Sequence, residues 1–161
     1  MTIEVRAIRP GEGPVLLEMV RALAESHGFL DKVTASPEDL EQALFAPVPI
    51  VGCLLAFHDG NPAGCAFWHR SFVTSRGREV MYLEDLSVLP EYRRKGVART
   101  LLKRLAVEAR MLGFPSVYWV MKEWNEGARS LYAESGAEFE EGIVFCRLAD
   151  DALRAWAESA P

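Results

Sequence analysis

"VMYLEDLSVLPEYRRKGVARTLLKRL", residues 80–105, is the stretch that organises the chain. Its first ten residues read as a long strand, but their apolar parity changes part-way. Met81 and Leu83 occupy odd positions, Leu86 and Val88 even ones, and Glu84-Asp85 lies at the switch. Side chains alternate faces along a strand, so a parity change predicts one extra residue, a β-bulge, at that point. From Val97 the spacing becomes helical: Val97, Leu101, Leu102, Leu105, Ala109 and Leu112 share one face. Between strand and helix lies a basic turn, Tyr92-Arg93-Arg94-Lys95-Gly96.

Outward from this unit the remaining elements follow in order. Residues 3–9 alternate as a half-buried strand, 13–26 and 37–45 carry helical apolar spacing, and Ser36-Pro37 supplies an N-cap and first-turn pair. Strands are predicted over 51–58 and 63–73, joined by the turn residues Asp59-Gly60-Asn61-Pro62. "SVYWVM", 116–121, is a short unbroken apolar run that predicts a strand buried on both faces. A helix over about 126–135 ends at Gly136. A last strand pair is expected around 137–148, with Gly142 as a turn or a bulge, and a terminal helix from about 150. The sum is one mixed α/β domain over 1–161, with a sheet of about six to seven strands flanked by helices.

Composition narrows the function classes. A chain of 161 residues, 50% hydrophobic and 25% charged, suits one domain with a full core. Its formal net charge of −5 argues against a nucleic-acid partner. No apolar run reaches the roughly 18 residues of a membrane helix, and no signal-peptide core follows Met1. Cys53, Cys65 and Cys146 lie in apolar runs and are expected as buried free thiols of a cytoplasmic protein. His27, His58 and His69 lack ligand-like spacing, so no metal site is expected.

The glycine in the basic turn points to a ligand. Helix N-termini present unpaired N–H groups and partial positive charge, and glycine lets a phosphate approach the backbone. Arg93, Arg94, Lys95 and Arg99 add charge suited to a pyrophosphate. Neither the P-loop pattern nor the dinucleotide Gly-x-Gly-x-x-Gly pattern occurs. A solvated basic turn is the alternative.

"LSVLPEYRRKGVARTLLKRL" resembles the acetyl-CoA-binding core of the GNAT N-acetyltransferases, whose Arg/Gln-x-x-Gly-x-Gly/Ala signature matches Arg93, Gly96 and Ala98. "NEGARSLYAESGAEF" matches the family's second motif through Asn125, Ala128, Leu131, Tyr132 and Gly136. The resemblance covers residues 80–148, with element order alone agreeing before that. It implies a mostly antiparallel sheet with a bulged fourth strand and acetyl-CoA as co-substrate. It places pantetheine on Leu86, Ser87 and Val88 and the pyrophosphate on the turn from Arg93 through Arg94, Lys95, Gly96, Val97 and Ala98 to Arg99. Asn125, Ala128 and Tyr132 are implied as further cofactor contacts. "YLEDLSV" with "EWNEGARSLY" is similar to the diamine (spermidine/spermine) and thialysine acetyltransferase group, which implies a small-molecule amine acceptor and a homodimer with its C-terminal strands near the interface. The chain departs from that group at Ile143-Val144, where a tryptophan is expected, and at "ESHG", 25–28.

The chemistry sets roles. An alkyl amine titrates near 10.4, so roughly one molecule in a thousand is neutral at pH 7 and a base is needed. Glu84, at the parity switch, is the candidate, directly or through water. Asp85 is expected on the opposite face in a supporting role. Tyr132 is the family match for the acid that protonates the departing thiolate, and Asn125 reads as a helix N-cap. Ser26, His27, Glu84, Asp85, Trp119, Glu123 and Glu141 are candidate substrate contacts; Trp119 serves equally as core. Two other functions stay open: a protein lysine or N-terminal acetyltransferase, and a non-catalytic acyl-CoA-binding regulator.

Overall fold

The computed structural model describes residues 1–159 and divides them into two compact units, Met1–Lys122 and the residues from Glu123 on. The expected domain, 1–161, also takes in Ala160 and Pro161, which lie outside the described residues.

The first unit is a five-stranded sheet with three helices. Strand β1, Ile3–Ala7, precedes helix α1, Gly13–Ser26, and helix α2, Pro37–Leu44. Ser36 caps α2 in a reciprocal box with Asp39, as the Ser-Pro pair predicted. The α1 start is tied to α2 by Gly13 N–H donating to Glu41 Oε1 at 2.8 Å. Strands β2, Val51–His58, and β3, Asn61–Val73, form a hairpin across Asp59-Gly60. Strand β4, Arg78–Val88, returns antiparallel to β3. Helix α3, Val97–Met111, then leads to β5, Val117–Tyr118, which pairs parallel with β4 at Met81 and Tyr82. The sheet order is β1-β2-β3-β4-β5.

Both sheet faces are buried, by alternation. Cys53, Leu55 and Cys65 join Leu16 and Met19 of α1, Leu44 of α2, Ile8 and Leu89 in one apolar cluster. The alternate positions, Leu54, Ala56, Ala66 and Trp68, face the other way and are buried as well. That is the face left for α3, which contacts β1 to β4 and buries Val97, Leu101, Leu102, Leu105 and Ala109.

The second unit holds α4, Glu126–Glu134, and α5, Asp150–Glu158. Asn125 caps α4, its Oδ1 accepting from Ala128 N–H at 3.0 Å. The Arg129 guanidinium lies 4.9 Å from the centre of the Phe139 ring.

Four expectations are corrected. The sheet has five strands among the described residues, where six to seven were expected. The run 116–121 contributes only Val117 and Tyr118 to it, and Tyr118 and Val120 are exposed. A bulged strand bends, and the β5 ladder on Met81 and Tyr82 ends one residue, Leu83, short of the bulge at Glu84. Residues 137–148 form no strand; Gly142 sits in a turn, and Ile143, Val144 and Phe145 are 65%, 78% and 76% exposed. Cys146 shares that exposure, while Cys53 and Cys65 are buried free thiols as expected.

Candidate active site

The bulge is where the parity change placed it. Phe67 pairs with Asp85 but Trp68 pairs with Leu83, so Glu84 is the extra residue of β4. It alters the expected position of Asp85. Asp85 lies opposite Phe67, while the Glu84 carboxylate reaches His69 Nε2 at 3.5 Å. Phe67 and His69 are two apart on β3 and share a face, so both carboxylates are on that face rather than on opposite ones. Burial, and then the neighbouring Glu84, push the Asp85 carboxyl up to about 6.

Past the bulge, Leu86, Ser87 and Val88 pair with Ala66, Cys65 and Gly64 of β3. The strands come so close there that a Cβ on Gly64 would stand 2.4 Å from the Ser87 carbonyl oxygen. The Ser87 side chain is 2% exposed and donates to the Met19 carbonyl at 2.9 Å, fastening β4 to α1. Since β5 reaches only Met81 and Tyr82, no strand among the described residues borders the outer edge of Glu84–Val88. Its backbone groups are placed to pair with something other than a strand.

The basic turn is held in a defined shape. Arg93 Nε donates to the Val88 carbonyl at 3.1 Å, and Lys95 Nζ lies 5.5 Å from the centre of the Tyr92 ring. Arg94 has φ 60° and Gly96 φ 88°, so the chain passes through left-handed geometry immediately before α3. No side chain caps α3, whose first N–H groups follow Gly96. Thr100 returns both its N–H and its hydroxyl to the Gly96 carbonyl, each at 3.0 Å. Arg94, Lys95, Gly96 and Arg99 are exposed and Ala98 is half-buried. Val97 is buried in the core, leaving only its backbone for a ligand.

The other candidates belong to several elements of the two units. Ser26 donates its hydroxyl to the Leu23 carbonyl of its own helix. His27, at the end of α1, is held below the usual histidine range by burial and then by Lys122 and Arg93. Trp119 is half-buried just past β5. In the second unit Glu123 and Glu141 are exposed. Tyr132 is buried on α4, which pushes its hydroxyl up, toward the protonated form. Ala128 belongs to the first turn of α4, where Asn125 caps it.

Two residues beside Glu84 escaped the reading of the sequence. His69 stacks on Tyr82 with ring centres 4.9 Å apart, directly across the β3–β4 ladder. The signal was present in the hairpin: counting back from the turn that pairs Val73 with Arg78 brings His69 opposite Tyr82.

A family model, the acetyltransferase (GNAT) family, matches residues 16–137, which is more than half of the chain and includes the bulge, the basic turn and α4. The chain belongs to the GNAT acetyltransferase family. This GNAT chain is 31% identical over 144 residues to thialysine N-epsilon-acetyltransferase of Bos taurus, covering 84% of each protein. It is 33% identical over 124 residues to L-ornithine N5-acetyltransferase of Arabidopsis thaliana, covering 77% of this chain and 51% of that protein. Among solved structures, an integron cassette protein from the mobile metagenome of V. cholerae superposes with a TM-score of 0.77 at 25% identity, over 99% of both chains. Thialysine enzymes and a spermidine/spermine acetyltransferase-like protein are among the relatives, and the protein is an amine N-acetyltransferase. Acetyl-CoA is the acetyl donor of the family. No helix among the described residues is long and apolar enough to cross a membrane.

Proposed function

We propose that this enzyme moves an acetyl group from acetyl-CoA to the primary amine of a small di- or polyamine-like or thialysine-like acceptor by direct attack. One observation carries the reading: the bulge sets Glu84 and Asp85 on one face beside the stretch of β4 that β5 leaves unpaired. Two neighbouring carboxylates suit an ammonium ion, and the outer edge of β4 along Leu86, Ser87 and Val88, which β5 does not reach and where the Val88 carbonyl accepts from Arg93, suits pairing with the extended amide chain of the donor. The left-handed Gly96 and the uncapped start of α3 fit a pyrophosphate, with Arg94, Lys95 and Arg99 close in sequence. Glu84 takes the amine's proton, directly or through water. Tyr132, kept protonated by its burial, gives a proton to the departing thiolate. The thialysine and ornithine enzymes act, by their names, on amino acids with a second, terminal amine, which favours an acceptor of that kind.

The same reading makes both compact units parts of one acetyltransferase domain, since the family match runs across their division. The exposed apolar run Ile143, Val144 and Phe145 favours a homodimer, with a second copy covering it. Buried free thiols suit a reducing compartment, and we place the enzyme in the cytoplasm.

The test is CoA release from acetyl-CoA across a panel of putrescine, spermidine, thialysine, lysine, glutamate and aminoglycosides. Dicationic acceptors should be fastest, and preference for glutamate would overturn the acidic pocket. In the same assay Tyr132→Phe should lower turnover by about 10²-fold or more with acetyl-CoA affinity nearly unchanged. Full turnover in that variant, with chemistry rate-limiting, would remove Tyr132 from the mechanism.

A further inference from the structure

The side chain that Glu84 touches is itself a base. His69 Nε2 lies 3.5 Å from Glu84 Oε2, and His69 Nδ1 lies 3.0 Å from the Arg70 carbonyl oxygen. A carbonyl oxygen only accepts, so Nδ1 carries a hydrogen and donates it there. That leaves Nε2 as the nitrogen facing the carboxylate. With Nε2 bare and Glu84 ionised, two acceptors oppose each other. One added proton, on either atom, turns that opposition into an N–H···O or O–H···N contact. Stacking on Tyr82 holds the ring in this orientation. Asp85 shares the face of the pair, and Arg70, next to His69 but on the other side of the strand, is engaged by Glu79 at 2.8 Å.

We propose that His69 is a positioning and proton-sharing residue for Glu84, so that the two side chains together take up the proton of the acceptor amine. The proton leaves the ammonium nitrogen for the Glu84 carboxylate, its electron pair remains on nitrogen for attack, and Nε2 shares the proton until it passes to water. His69, a third exposed, has access to that water. This rests on the reading of Glu84 as the base.

The experiment compares His69→Phe, which keeps a ring on Tyr82, with His69→Ala, Glu84→Gln and the double variant Glu84→Gln/His69→Ala. Each is assayed for CoA release with the best acceptor, with and without added imidazole. His69→Phe and His69→Ala should each lower kcat about tenfold, less than the hundredfold cost of losing a general base outright. Imidazole should restore His69→Ala but neither Glu84→Gln nor the double variant, which should be no slower than Glu84→Gln alone. Wild-type kcat in His69→Phe, or a double variant slower by the product of the single losses, would overturn the proposal while leaving Glu84 as the base. Wild-type kcat in Glu84→Gln would instead remove the reading on which it rests. Loss of kcat without imidazole rescue would make His69 a packing residue and also overturn the proposal.

Discussion

Strand β4 and the segment 137–148 are both strand-like in sequence, and they end in opposite conditions. In β4, apolar residues are bonded to β3 along the whole strand and buried from Val80 to Leu83 apart from the half-exposed Tyr82. In 137–148, apolar residues of the same kinds are exposed and pair with no strand. β-propensity describes a fit to a pleated, half-buried surface, and a strand exists only where a neighbour offers its ladder. The hairpin turn supplies that neighbour for β4. No such turn brings a partner to the later segment.

The largest test of this contrast uses Asp85, whose burial the exposed segment has no counterpart for. Its carboxyl sits at about 6 in the folded state, above the ordinary value of 3.8. The folded protein therefore holds the proton more tightly than the unfolded chain. Stability should fall as pH rises from about 4 to about 6, and the full cost is present above that. Asp85→Asn should then stabilise the protein at pH 7.5 by on the order of 2–3 kcal/mol, from 1.36 kcal/mol per pKa unit, and leave it nearly unchanged at pH 4. Urea unfolding at both pH values measures this. An equal effect at both would mean that Asp85 is not desolvated. Glu141→Gln, in the exposed segment, should move stability by no more than about 0.5 kcal/mol at either pH.

The turn that follows β4 comes next in size. Gly96→Val must adopt φ 88° with a side chain, which costs about 1–2 kcal/mol. The room around it is not the obstacle, because the nearest atom to a Cβ there, Ile3 Cδ1, is 3.7 Å away. Gly96→Asn tolerates left-handed geometry and should fold normally. Both variants should lose the rise in Tm that acetyl-CoA gives the wild type, since both put a Cβ where the phosphates approach. A full rise in Gly96→Asn would move the phosphate site elsewhere.

These cases show what was legible in the sequence. The bulge was, because parity is a local property that one extra residue must change. The start of α3 and both caps were legible too, through Gly96, Ser36 and Asn125. The face of Asp85 was not, because a parity change locates the extra residue without saying where its side chain goes. His69 was passed over as a lone histidine, although the hairpin count places it beside β4. The missing strands failed for the reason that separates the two regions: propensity was read, and partners were not.

A smaller effect is expected at Ser87, whose hydroxyl bridges 68 residues of sequence to Met19. Ser87→Ala should cost about 1 kcal/mol, the usual net worth of one hydrogen bond, in urea unfolding. No loss would mean that the bridge adds nothing to the packing of α1 on β4.

The smallest effect should come from the segment itself. Ile143→Thr/Val144→Thr removes apolar surface that is already 65% and 78% exposed, so at low protein concentration the stability change should stay within about 0.5 kcal/mol. Concentration then separates the possibilities. If a second copy covers this run, the wild-type Tm climbs with protein concentration, because association stabilises only the folded state. The double variant should lose that climb while its Tm at low concentration matches the wild type. Sedimentation of both proteins over the same range supplies the masses. A wild-type Tm that ignores concentration, with monomer throughout, would leave the run uncovered and remove the homodimer. A double variant destabilised by several kcal/mol as a monomer would mean that Ile143 and Val144 are packed within one chain, and the contrast with β4 would then collapse.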